Sequence, residues 1–128
     1  MRIFVPFMGL LLASGLAAQE SAGDRGVYFP QQLTASELLY ACASSSLSNR
    51  GRERRRFCGG FISGVEEAIR LLDARQGLAR PSGICAPKGV SASAFGEMYR
   101  KYARDGRGRG KPAAAVVIEA LRDAYPCG

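Results

Sequence analysis

The sequence predicts an all-α domain, a small bundle of four helices stapled by disulfides. Three observations carry that prediction. Apolar residues recur every three or four positions in four separate stretches, the spacing of a helix face and not the alternation of a half-buried strand. Four cysteines, Cys42, Cys58, Cys85 and Cys127, stand in a chain that has no histidine. The chain also opens on a pattern of export, which places those cysteines where disulfides form.

The export pattern has three parts. Met1-Arg2 gives a basic start, residues 3–12 are apolar apart from Pro6 and Gly9, and Ala13-Ser14-Gly15-Leu16-Ala17-Ala18 is a run of mostly small residues. This is the order of a secretory signal, cut after Ala17 or Ala18. A membrane span needs about 20 apolar residues, and the run reaches only about half of that. We assign 1–18 as signal peptide, 19–32 as a mobile lead-in and 33–128 as the helical domain, with a periplasmic location and no membrane span once the signal is removed. Loss of Arg2 takes the formal net charge from +7 to +6. That basic balance favours anionic partners and says nothing of fold.

In an oxidising compartment an even cysteine count reads as a disulfide framework. A zinc site would draw its ligands in close pairs, commonly with histidine; here the cysteines are far apart and histidine is absent. Three pairings are open in principle.

The elements follow in order. Thr34 opens the first helix, with Glu37 completing a capping box and Leu33 positioned to staple onto Leu38. Its apolar stripe is Ala35, Leu38, Leu39 and Cys42, and it should fade in the serines 44–46. An arginine-dense connector, 49–56, leads to a second helix from about Arg55 to Ala74. Phe57, Phe61, Val65, Ile69 and Leu72 make its apolar face, with Cys58, Ile62 and Ala68 beside them. Gly60, Gly64 and Ala68 form a small-residue ridge on it. Glycine costs about 1 kcal/mol in a helix interior, so the ridge is expected to meet another helix backbone, or else to receive a partner's side chain. Two helices joined by a short connector lie antiparallel, which puts Cys42 beside Cys58 and leaves Cys85 to pair with Cys127.

Residues 76–90 carry Gly77, Pro81, Gly83, Pro87 and Gly89 and read as a loop. A third helix starts near Ser91 or Ser93 with Phe95, Met98, Tyr99 and Tyr102 on one face. It stops in the basic, glycine-rich turn 105–110. Pro112 opens the fourth helix, whose apolar face is Ala113, Val116, Val117, Ala120, Leu121 and Ala124; Pro126 ends it.

The chemistry these residues offer is that of a binding protein, not an enzyme. Without histidine there is no nucleophile–histidine pair and no ordinary base near neutral pH. Glu66-Glu67 are adjacent on a helix, so they diverge by about 100° and read as a solvated face, with Glu66 four residues before Arg70 in ion-pair spacing. The turn 106–110 lacks the strand, Lys and Ser or Thr of a phosphate loop. No cofactor is expected. Arg50, Arg52, Arg54, Arg55 and Arg56 are the candidate partner-binding residues, able to grip carboxylates or phosphates. Nucleic acid is not expected, because no aromatic residues interleave with the arginines for base stacking.

Several marks stand in a recognisable order. Phe57-Cys58-Gly59-Gly60-Phe61-Ile62-Ser63-Gly64 leads into a helix, and Ile84-Cys85-Ala86-Pro87-Lys88-Gly89-Val90 follows. Then come Pro112-Ala113-Ala114, Ala120-Leu121 and a closing Tyr125-Pro126-Cys127. Together they resemble the Rap1a/Tai family of periplasmic immunity proteins, over about residues 33–127. The resemblance implies a helical, disulfide-bonded protein that binds and blocks a toxic effector delivered by type VI secretion, such as a peptidoglycan amidase, with a homodimer among the assemblies it implies. The shared marks are scaffold, so no contact residue carries over. The basic turn 104–110 departs from the less basic, proline-containing turn expected there. The alternative reading is an envelope module that holds an anionic polymer or an acidic protein through its arginines.

Overall fold

The computed structural model describes residues 32–77 and 80–128. The signal segment and residues 19–31 of the lead-in lie outside them. Four helices follow one another: α1 (Ala35–Ala43), α2 (Asn49–Arg75), α3 (Ala92–Ala103) and α4 (Ala113–Ala124). Every pair of helices is in contact.

Local sequence sets each start. Thr34 caps α1 in a full capping box: its hydroxyl accepts from the Glu37 amide at 3.3 Å, and the Glu37 carboxylate accepts from the Thr34 amide at 2.9 Å. That backbone hydrogen bond, then the Thr34 hydroxyl, holds the Glu37 carboxyl below the usual carboxylate range. Ser48 caps α2 through the Gly51 amide, and Ser91 caps α3 through the Ala94 amide. Pro112 is the residue before α4, one position outside the helix.

The core gathers around Leu38, Ile62, Tyr99, Val116, Val117 and Leu121, all withdrawn from solvent. Tyr99 is the largest of them, and its hydroxyl donates to the Ala35 carbonyl at 3.1 Å, tying α3 to the start of α1. Burial pushes its pKa up to about 12, because the phenolate would lose its hydration. Two backbone clamps close the bundle. Leu33 and Ala35 exchange hydrogen bonds with Ala113 and Lys111, and Cys85 and Gly83 do so with Tyr125 and Cys127. Cys42 is bonded to Cys58, and Cys85 to Cys127 beside the second clamp.

The structure corrects several expectations. Residues 49–56 are not a connector; they are the first two turns of α2, and only 44–48 link the helices. Arginine is a good helix former, and the Ser48 cap starts the helix before the cluster. The buried line of α2 is Gly51, Cys58, Gly59, Ile62, Glu66 and Asp73, one position round from the expected face. Phe57, Phe61, Val65 and Ile69 sit half-buried at its edge, while Ala68 and Leu72 are exposed. The disulfide at Cys58 decides the rotation, together with Gly59, whose Cα lies so close to α3 that an added Cβ would stand 2.5 Å from the Ala92 carbonyl oxygen. Among the described residues the ridge of Gly60, Gly64 and Ala68 therefore meets no helix, and a Cβ at either glycine would touch nothing within 4 Å. Glu66 is not on a solvated face: it is 9% exposed, whereas Glu67 is exposed to solvent. On α4, Ala124 is also exposed.

Candidate functional site

The five candidate arginines do not form one patch. Successive residues turn by about 100°, and the cluster divides in three. Arg52 bends back to the interhelix link, donating to the Ser46 carbonyl at 3.1 Å and to the Asn49 side chain. Arg55 and Arg56 border a shallow hollow of about 150 Å³ beside the Cys42–Cys58 disulfide and the first turn of α3. Arg50 and Arg54 share the remaining side. Arg54 lies over the Tyr40 ring at 4.9 Å from its centroid and donates to the Tyr40 hydroxyl at 2.9 Å. No acidic residue stands in the first turn of α2, where the helix dipole would favour one and disfavours arginine. Arg50, in that first turn, thus works against its own helix.

Arg50 and Arg54 continue into the outward face of α2. Phe57, Phe61, Gly64, Ala68 and Leu72 follow at intervals of 4, 3, 4 and 4 residues, the spacing of a seam that meets another helix. The Phe57 and Phe61 rings pack on one another at 6.2 Å. Leu71 and Leu72 are 60% and 55% exposed, and Tyr40 extends the surface toward α1 at 63%. Arg75 stands on the same side at the far end. Along about 40 Å of helix the order is basic, apolar, basic.

Two other hollows were not legible in the sequence. One, of about 330 Å³, is lined by Glu66, Ile69, Arg70, Asp73, Arg80 and Ile84, among others. Its carboxylates are already engaged. Glu66 holds Arg70 at 2.5 Å, and Asp73 accepts from the Ser82 hydroxyl at 2.5 Å and the Ser82 amide at 3.3 Å. The Ser82 carbonyl in turn accepts from Arg122 at 2.9 Å. This network fastens the loop before Cys85 to α2 and α4. The other, of about 260 Å³, lies between α1 and the turn after α3, with Arg104, Arg107 and Arg109 around it. Arg107 covers the Tyr102 ring at 5.1 Å.

Among the described residues, no buried side-chain nitrogen or oxygen lacks a hydrogen-bond partner. No group of three or more His, Cys, Asp or Glu side chains there is placed to hold a metal ion. No helix there is long and apolar enough to cross a membrane. The arrangement of the described residues offers surfaces for contact. The family model described as Rap1a immunity proteins matches residues 34–127. No curated protein and no solved structure matches the chain.

Proposed function

Because the chain belongs to the Rap1a immunity protein family, we propose that it is a periplasmic immunity protein. It binds a toxic effector, such as a peptidoglycan amidase, and holds it inactive. The family match carries this reading: it takes in all four helices and all four cysteines. The two disulfides support it, since they suit an oxidising compartment and keep a small binder in one shape. A preorganised surface loses less entropy on association, which favours tight inhibition.

Inhibition here is occlusion. An interface of ordinary size buries about 800 Å² on each partner, and an apolar centre with charged ends suits such a contact. Binding of this kind resists salt more than the attachment of exposed arginines to an anionic polymer, which screening weakens. The division of the arginines into three groups also removes the single basic patch that a polymer-binding module would use.

The test is a growth competition. A strain lacking the gene is mixed with its parent and then complemented with the wild-type gene. We expect the deletion strain to be killed and the complemented strain to survive. The oxidised protein should also co-purify with one stoichiometric partner that stays bound at high salt. Survival of the deletion strain, or recovery of salt-eluted polymer alone, refutes the proposal.

A further inference from the structure

We propose that the hollow between α1 and the turn after α3 is a docking site for an acidic side chain of the partner protein, gripped by Arg107 and Arg109. This rests on the reading of the chain as an effector-binding protein, and it names a contact and a chemistry which that reading leaves open.

The hollow has a fixed shape. Its floor is apolar, formed by the buried Ala35 and Ala103 and the half-buried Leu39. Its wall is the turn 104–110, which backbone hydrogen bonds hold along its length. The Gly106 amide donates to the Ala103 carbonyl at 3.0 Å, and the Lys111 amide to the Gly108 carbonyl at 2.8 Å. The Lys111 carbonyl in turn accepts from the Ala35 amide at 2.9 Å, which ties the turn to α1. Gly106 and Gly108 have φ of 80° and 66°, a region that glycine enters without strain. Gly108 also lies so close to α4 that an added Cβ would clash with Val116 of the core. On this frame the Arg107 guanidinium lies over the Tyr102 ring, and the Arg109 guanidinium folds back beside Gly106. The donors are thus placed before a ligand arrives, which reduces the entropy lost on binding.

Charge decides the occupant. The helices that border the hollow carry one acid each, and both are engaged. Glu37 of α1 caps its own helix through Thr34 and points about 160° away from Leu39. Glu97 of α3 accepts from Arg100 at 3.0 Å. Beyond them, Glu119 accepts from Lys111 at 3.1 Å, and Asp105 reaches Arg104 at 3.8 Å with both side chains 71% exposed. Among the described residues, neither Arg107 nor Arg109 has a carboxylate at ion-pair distance. Two guanidiniums above an apolar floor in about 260 Å³ suit a glutamate. Its methylenes rest on Ala35, Leu39 and Ala103, and its carboxylate meets the planar donors. A phosphate group has no apolar stem to lay on that floor. A second copy docked face to face here would set these arginines against their own counterparts.

The probe is a blocked pentapeptide with one glutamate between two leucines. Its control carries glutamine at the centre, and inorganic phosphate is the third ligand. In ¹⁵N NMR titrations of the oxidised protein, the Nε–H signals of Arg107 and Arg109 should move with the glutamate peptide. Half-saturation should come at a concentration at least about tenfold below that of either other ligand. Both arginines are exposed and hold no ion pair, so Arg107→Gln/Arg109→Gln should keep its Tm and bind the two peptides alike. Arg107→Glu/Arg109→Glu should instead prefer a lysine-centred peptide, a gain that misfolding cannot imitate. Equal response to the glutamate and glutamine peptides, or undiminished binding by the glutamine variant, overturns the inference. Tighter binding of phosphate does so as well, because it would assign the site to a phosphorylated polymer. A gain in binding of about tenfold when residues before 32 are cleaved away would seat Glu20 or Asp24 of the chain's own lead-in there and overturn it likewise. So would sedimentation of the wild type as a dimer that the charge reversal splits. The competition assay separates the two proposals, since the glutamine variant should protect at least about tenfold less well than the wild type. Equal protection by both removes the docking site and keeps the immunity function, whereas failure of the wild type to protect removes the function itself.

Discussion

Four glycines in α2 should respond to alanine with opposite signs, and the structure says which way each will go. At Gly60 and Gly64 an added Cβ meets nothing within 4 Å. The substitution then acts on backbone entropy and helix propensity alone, and each should stabilise by about 1 kcal/mol. The two methyl groups burden no common neighbour, so the double variant should gain about 2 kcal/mol. For a domain near 100 residues that is a rise in Tm of about 8–15 °C. At Gly59 the same Cβ would lie 2.5 Å from the Ala92 carbonyl oxygen, and at Gly51 it would lie 1.8 Å from that of Ser45. Those atoms are backbone and cannot rotate aside. Overpacking costs about 1–3 kcal/mol in ordinary cores, and a rigid obstacle puts these sites at or above the upper end. Gly59→Ala and Gly51→Ala should therefore lose stability despite the better helix former. Urea denaturation of the oxidised protein measures all of them, and an unchanged m-value would show that the surface exposed on unfolding is the same in each variant. The reasoning fails if Gly60→Ala or Gly64→Ala lowers the midpoint, or if Gly59→Ala raises it.

Tyr99 makes stability fall at high pH. Its pKa is about 12 in the fold against about 10 unfolded, so its contribution is complete below pH 10 and is lost as pH rises toward 12, by up to about 1.4 kcal/mol per pH unit. Tyr99→Phe should cost about 1 kcal/mol at neutral pH, for the lost bond to the Ala35 carbonyl, and should flatten the alkaline limb of a stability–pH curve. Replacing both cysteines of a pair by alanine opens loops of 16 and 42 residues. In the chain-entropy model the losses are about 3 kcal/mol for Cys42/Cys58 and about 4 kcal/mol for Cys85/Cys127, so the second pair should lower the urea midpoint more. Asp73→Ala removes the acceptor of both Ser82 donors, at about 1.5–3 kcal/mol for bonds to a charged group. Hydrogen exchange should quicken first at residues 82–85 and only later in α3.

Helix number and order were open to reading because each helix carries a local signal that tertiary packing does not override. The Thr34–Glu37 capping box, the Ser91 cap and the Phe95–Tyr99 spacing lie within one or two turns of chain and act before any long-range contact forms. The absence of histidine and the even cysteine count likewise needed no structure. The rotation of α2 was different. Its apolar residues cover an arc wide enough for either of two neighbouring lines to face inward, and periodicity cannot choose between them. What chooses is the fit of Gly59 against Ala92, more than 30 positions away in sequence. The start of α2 was hidden for a related reason. Arginine-rich segments look solvated whether coiled or helical, and only the Ser48 cap distinguishes them.

The same ambiguity explains why the candidate surface was half seen. Read as core, Phe57, Phe61 and Leu72 account for themselves, and Gly60 and Gly64 must then be points of close packing. Once the helix is turned by one position, Leu72 and the two glycines face outward while Phe57 and Phe61 stay half-buried at the edge of the core, and among the described residues the glycines become a cost with no internal return. Natural sequences sit just above a stability threshold and are seldom at their stability optimum. Two alanines would strengthen this helix with no clash anywhere in the described fold. Arg50 repeats the pattern, since in the first turn it opposes the dipole of the helix that carries it and would serve it better as an acid. Departures of both kinds, one steric and one electrostatic, fall on a single side of a single helix.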